Sequence, residues 1–335
     1  MKTNSPNSIK MTGPLLVLAL MAMVWCQGCD NQSGGTAQKE LHLVFVANSP
    51  DDFWSIVRLG CDKAAREAGN VDLNFRFPTD PTVAAQQQLL SSLVTNGVDG
   101  IAVSPIDAAS QTDFLNGIAD KTLLVCADSD AGKSRRVCYI GTDNVAAGKQ
   151  AAELLKAALP DGGKIVLFVS YLNAANIKDR IEGIRAALAG SKIQIVDTIS
   201  DGGKSTVAQE NARNALAKHP DLAGIGCLNG YQGPAILTAV RGAGQAGKVK
   251  MVCFEGYSDT LQGIADGDIY GTIVQMPYNF GYQTVSRMEK YLRGDKSQLS
   301  NGNILLPSKP LTKDGVAEFQ AWRKTLLLQL NDGQK

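Results

Sequence analysis

The sequence predicts an α/β protein built as two doubly wound parallel-sheet lobes, and three observations carry that expectation. From residue 41 onward, short apolar runs alternate with longer stretches of helical periodicity. Glycine, aspartate, asparagine and proline cluster at the ends of those runs, where strands turn. The alternation then starts again after "RVCYIGTDN" at 136–144, so one architecture is laid down twice. Strand and helix in strict alternation argue for a parallel sheet covered on both faces.

Taken in order, the apolar run "LHLVFVA" leads to a helix near 53–69, "VDLNFRF" to one near 82–96, and "GIAVS" to one near 107–120, after which "LLVCA" closes the first half. The second half opens with a helix near 144–158. It continues through "KIVLFVS", a helix near 176–190, "IQIVDTI", a helix near 205–218, "GIGCL", a helix near 234–244, "KMVCF", a short helix near 258–266 and "GTIVQM".

The first 35 residues stand apart. Lys2 and Lys10 precede "LLVLALMAMV" at 15–24, an uncharged apolar run too short to span a bilayer and suited to a secretory core. The following "CQGCD", with Gly28 before Cys29, resembles a bacterial lipoprotein signal. That resemblance implies a signal peptide over 1–28, lipid on Cys29, and a polar tether over 29–40, although Cys26 stands where the pattern has an aliphatic residue. The expected location is exported and lipid-anchored at the cell membrane.

Thirty-three basic against 32 acidic side chains give a formal charge of +1, and the signs are interspersed, so no basic face for nucleic acid is expected. Cys61, Cys126, Cys138, Cys227 and Cys253 remain once Cys26 and Cys29 are set aside; most lie in strand-like runs and are expected as buried free thiols. With only His42 and His219, no metal site or histidine triad is expected, and no cofactor. "RGAGQAGKV" at 241–249 contains G-x-G-x-x-G but closes a helix where a dinucleotide fingerprint would open one.

Ligand crevices in such sheets lie outside the carboxyl ends of the strands. The residues there are Asp51, Asp52, Phe53 and Trp54, Thr79 and Asp80, Ser104 and Pro105, and Asp128 and Asp130 in the first half. In the second they are Tyr171 and Asn173, Asp201, Asn229 and Tyr231, Glu255 and Tyr257, and Gln275. Carboxylates accept from neighbouring hydroxyls with bonds of roughly 1.5–3 kcal/mol, and aromatic rings cover apolar C–H faces. A sugar presents both surfaces. Each residue alone is as well explained by helix capping; their convergence favours a ligand.

In this order, "FWSIVRLGCDKAAREAG", "NGVDGIAVSP", "YIGTDNVAAGKQAAELL", "NIKDRIEGIRAAL" and "DGDIYGTIVQMPYNFGYQ" resemble the periplasmic sugar-binding proteins of bacterial ABC importers. The likeness is to the ribose, galactose and xylose type, which shares its fold with LacI-type repressor domains. It implies that Phe53 and Trp54 pack on the sugar and that Asp51, Asp128, Arg180, Asn229, Glu255 and Gln275 bond to it. Asp52 is expected to cap the helix. Asp51 replaces a usual amide, Ser129 an arginine, Gly230 an aspartate, and Glu255 the shorter acid, which argues against ribose itself.

The resemblance also implies three crossings between lobes, near Thr142, Gln275 and Leu306, forming a hinge. The lobes would comprise 41–142 plus 276–306, and 143–275, with 307–335 a C-terminal segment bearing a final helix. The expected function is capture of a monosaccharide or polyol by hinge closure and delivery, by a monomer, to an ABC permease. A receptor of the same fold feeding a membrane sensor kinase is the alternative. A glycan-processing enzyme is disfavoured, because one carboxyl would need an apolar pocket, and the export signal argues against a repressor.

Overall fold

The computed structural model describes residues 38–332; the signal peptide, Cys29 and nearly all of the tether lie outside them. Among the described residues the first half forms β1 (Leu41–Val46), α1 (Asp52–Ala68), β2 (Val71–Arg76), α2 (Val83–Thr95), β3 (Gly100–Val103), α3 (Ala108–Ala119), β4 (Leu123–Ala127) and β5 (Cys138–Thr142). The second forms α4 (Asn144–Ala158), β6 (Gly163–Val169), α5 (Ala175–Leu188), β7 (Ile193–Ser200), α6 (Ser205–Lys218), β8 (Leu222–Cys227), α7 (Gln232–Gly242), β9 (Lys250–Phe254), α8 (Ser258–Asp266) and β10 (Gly271–Val274). Then come α9 (Pro277–Leu292), a 3-10 turn (Lys296–Leu299), β11 (Asn303–Leu306), β12 (Lys309–Thr312) and α10 (Lys313–Asp332).

These strands make two six-stranded sheets, ordered β11-β5-β4-β3-β1-β2 and β12-β10-β9-β8-β6-β7. Every pairing is parallel except β10 with β12. The chain therefore leaves the first sheet after β5, returns to it at β11, and ends on the second at β12. Parallel strands covered on both faces read as continuous apolar runs, and β3, β4 and β5 are buried along their whole length. In the first lobe α2 and α3 cover one face and α1 and α9 the other.

Two helix crossings set the lobes' shape. α1 and α9 meet through Gly60 and Gly281, where an added Cβ would stand 2.0 Å from the Tyr278 carbonyl and 1.9 Å from that of Val57. α4 and α5 repeat the device through Gly148 and Gly183, 2.2 Å and 2.1 Å from the carbonyls of Arg180 and Val145. Only residues without a side chain allow backbones to touch in this way. The five cysteines among the described residues are buried and free.

Candidate ligand-binding cleft

Both sheets reverse their strand order, at β1/β3 in one and at β6/β8 in the other, and crevices form outside such switch points. The two sets of carboxyl ends share a cleft between the sheets, the kind of concave place that small molecules occupy. Asp51, Phe53, Trp54, Asp128, Arg180, Asn229, Glu255 and Gln275 all line it. The structure thus places the eight residues implied by the family resemblance around one cleft.

Arg180 is the most constrained of them. Its Nε donates to Asn144 Oδ1 at 2.9 Å and its Nη1 to the Leu228 carbonyl at 2.5 Å. The guanidinium carbon lies 4.3 Å from the Phe254 ring centroid, and the residue is 2% exposed. Burial brings its pKa down from the ordinary value, against the pull of Asp128 and Glu255. A guanidinium held on three sides is a fixed donor with little rotamer freedom left to lose on binding.

Asp128 and Glu255 are the buried acids. Asp128 Oδ2 accepts from Ser104 Oγ at 3.0 Å and from Asn176 Nδ2, across the cleft, at 3.3 Å. Glu255 Oε1 accepts from Gln275 Nε2, and Gln275 Oε1 accepts from Thr142 Oγ1 at 2.7 Å. That chain runs through two of the crossings between sheets, so the crossings and the cleft share hydrogen bonds. Burial pushes Asp128 up to about 6 and Glu255 up to about 7, with Arg180 and the neighbouring donors acting against it.

Asp51 requires a correction. Asp51, not Asp52, is the N-cap of α1: its Oδ1 accepts from Phe53 N at 2.7 Å. The same oxygen accepts from Tyr257 Oη of the other lobe, and the Phe53 N–H also reaches Tyr257 Oη at 3.1 Å. Capping needs an acceptor at the last residue before the helix, and with two adjacent acids the sequence offers two candidate starts. Asp51 therefore caps α1, bridges the lobes and faces the cleft at once.

The aromatic pair is also less flat than "FW" suggests. The Phe53 and Trp54 rings stand at 87° with centroids 5.1 Å apart. Trp54, 2% exposed, packs among Phe45 and Phe75. Only one of two perpendicular rings can lie face-on to a given ligand ring.

Of the other strand-end residues, Tyr171 and Tyr231 also line the cleft, while the rest serve other contacts. Asp130 pairs with Arg136, whose Nη2 lies 2.6 Å away, and Asp201 accepts from Tyr231 Oη and Gln232 Nε2, each at 2.5 Å. Tyr171 Oη donates to the Pro81 carbonyl at 3.3 Å and Asn173 Nδ2 to Asp107 Oδ2 at 3.4 Å, so these residues join the lips of the cleft. Asn48, Ser49, Ser170 and Asn176 line the cleft without having been singled out. Asn176 carried a signal: it stands one turn before Arg180 on α5, hence on the same face. Its buried Oδ1 has no partner among the described residues.

Two α/β lobes joined by three chain crossings, with a polar cleft at their facing strand ends, define a type I periplasmic binding protein. The chain belongs to the periplasmic binding protein domain family, whose model matches residues 43–296. It is 24% identical over 267 residues to the ribose import binding protein RbsB of Salmonella typhimurium, covering 79% of this chain and 89% of that one. It is 28% identical over 289 residues to the fructose import binding protein FruE of Bifidobacterium longum, covering 82% and 86%. Among solved structures, an ABC transporter solute-binding protein of Burkholderia graminis in complex with D-arabinose matches with a TM-score of 0.78 and 28% identity, over 83% of this chain and 96% of that one. XylFII matches with a TM-score of 0.76 and 26% identity, over 82% and 99%. The ribose, fructose and ABC-transporter relatives are binding proteins, and this chain is a binding protein and not an enzyme.

Proposed function

We propose that the protein is a lipid-anchored solute-binding protein that captures a monosaccharide or related polyol by hinge closure and delivers it to an ABC permease. One observation carries this reading: a buried cleft lined from both lobes by Asp51, Asp128, Glu255, Arg180, Asn229 and Gln275, with Phe53 and Trp54 beside them. Carboxylates and a fixed guanidinium suit vicinal hydroxyls, and one ring face suits a C–H face. A micromolar ligand needs a net of only about 8 kcal/mol, within reach of a few charge-assisted bonds after ordering costs. Ligand stabilises the closed form to the extent that it binds that form better than the open one. The names of the relatives support a sugar as ligand and a permease as partner.

The test is calorimetric titration with neutral aldoses, ketoses and polyols, alongside mass spectrometry of whatever co-purifies. The expected result is micromolar binding of one sugar class without turnover; no binding across the panel, or release of hydrolysis products, would sink the reading. Lipid on Cys29 is tested by metabolic labelling with a palmitate analogue, which Cys29→Ser should abolish.

The likeness to XylFII, which is also solved as a XylFII–LytSN complex at 24% identity, supports a second reading. In it the sugar-loaded chain docks on a sensor kinase instead of a permease. Co-purification from membranes with one or the other distinguishes the two.

A further inference from the structure

Beside the cleft lies a second hollow, a groove of about 660 Å³. It shares Phe53, Glu255 and Gln275 with the cleft, and the hinge residues Met276 and Pro277 line it. One wall belongs to the first lobe, with Ile56 on α1 and Tyr278 on α9. The opposite wall is α10, with Phe319, Trp322 and Leu326. α10 is fixed to the second lobe: Val316 is buried in that lobe's core, Phe319 packs against it, and Arg323 Nη1 donates to Ser258 Oγ at 3.2 Å. Yet Trp322 remains 48% exposed.

The groove and the lips of the cleft lie on opposite sides of the first lobe's sheet. Pro81 and Asp107, which meet Tyr171 and Asn173 at the lips, precede α2 and α3 on one face. Ile56 and Tyr278 belong to α1 and α9 on the other. The hinge segment after Gln275 runs along the groove. Gln275, at a crossing between the sheets, lines both hollows, so a rotation about that crossing that parts the lips narrows the groove, and one that closes the lips widens it.

We propose that this groove is a counterweight to ligand: its apolar walls come together when the cleft opens, so that hydrophobic burial favours the open form. The inference rests on hinge closure as proposed above. Apolar area removed from water is favourable wherever it occurs, and the structure with its lips in contact leaves these walls apart. Apparent affinity falls by the fraction of molecules that are competent to close, so α10 sets how tightly a given sugar is held without touching it.

The test measures the lip separation in the ligand-free full-length protein by pulsed EPR, with spin labels on Asp80→Cys and Leu172→Cys. Both positions are exposed and the five described native cysteines are buried. Trp322→Ser should raise the ratio of closed to open lip distances roughly tenfold, equivalent to about 1.4 kcal/mol, and adding Ile56→Ser should raise it further. Trp322 is on the surface, so its replacement is compatible with folding, which circular dichroism confirms. An unchanged ratio, or a shift toward open, in a folded variant overturns the counterweight. If D-arabinose, D-ribose, D-xylose and D-fructose shift the lip distance but the variants do not, only the counterweight fails. If neither sugar nor variant shifts it, hinge closure fails and the inference falls with it.

Discussion

Asp128 and Glu255 occupy matching positions in the two lobes. Each follows the fourth strand of its lobe, each has a left-handed backbone with φ of 64° and 66°, and each N–H donates to an isoleucine carbonyl, of Ile140 and Ile273. Side chains other than glycine pay for that conformation, and both carboxyls are buried beside one cleft. The ligand-free fold bears the cost of holding both.

Stability without ligand should therefore depend on pH in a defined direction. Burial raises the two carboxyls from 3.8 and 4.5 to about 6 and about 7, so between about pH 4 and 7 the native state holds protons that the unfolded chain has released. Their contribution is fully present below the unfolded values and is lost as pH rises through the folded ones. Asp128→Asn and Glu255→Gln should each be more stable than the parent at pH 8, by on the order of 2–3 kcal/mol, and should flatten the slope. Urea unfolding at pH 5 and pH 8 measures this. Both variants should bind sugar at least tenfold more weakly, by calorimetry.

Tyr257 joins the lobes without ligand, through Asp51. Tyr257→Phe removes that bond and leaves the ring, so ligand-free molecules should populate the open form more and apparent affinity should fall about fivefold, near 1 kcal/mol. Small-angle scattering and titration read the two effects. Unchanged scattering together with unchanged affinity would show that the bond carries no closure energy.

Trp54 should report the ligand by fluorescence, yet Trp322 sits on the groove and will respond to hinge motion as well. Trp54→Ala opens a cavity among Phe45 and Phe75 and should cost about 3–5 kcal/mol in stability. It should also remove most affinity. In Trp54→Phe the binding-linked signal that persists comes from Trp322, and Trp322→Phe isolates the other. If a tight sugar binds Trp54→Ala as well as it binds the parent, the aromatic side of the site is misassigned.

Gly148→Ala tests the support beneath Arg180. A methyl placed 2.2 Å from the Arg180 carbonyl must push α5 away from α4. Overpacking of this kind costs about 1–3 kcal/mol, and the shift should weaken sugar binding more than Gly281→Ala, which strains the α1–α9 crossing away from Arg180. Melting temperatures and titrations of the two variants give the comparison.

The sequence by itself determined the alternation of strands and helices, and with it most of the candidate cleft lining, whereas Arg180, inside α5, was implied only by the family resemblance. In a parallel sheet every strand delivers its carboxyl end to the same edge, so residues as distant as Asp51 and Gln275 could be assigned to one crevice from strand ends alone. The matching glycines, the cap at Asp51 and the perpendicular rings of Phe53 and Trp54 were not legible, since each depends on how one element meets another. Only the tertiary structure placed Tyr257 on Asp51, α10 across a groove from α1 and α9, and Asn176 on Asp128. The physical reason is that hydrophobic periodicity records which face of an element is buried, whereas the mutual placement of two lobes is fixed by contacts between segments separated by 48 residues at Asn176–Asp128 and by 206 at Tyr257–Asp51, which leave no period in the chain.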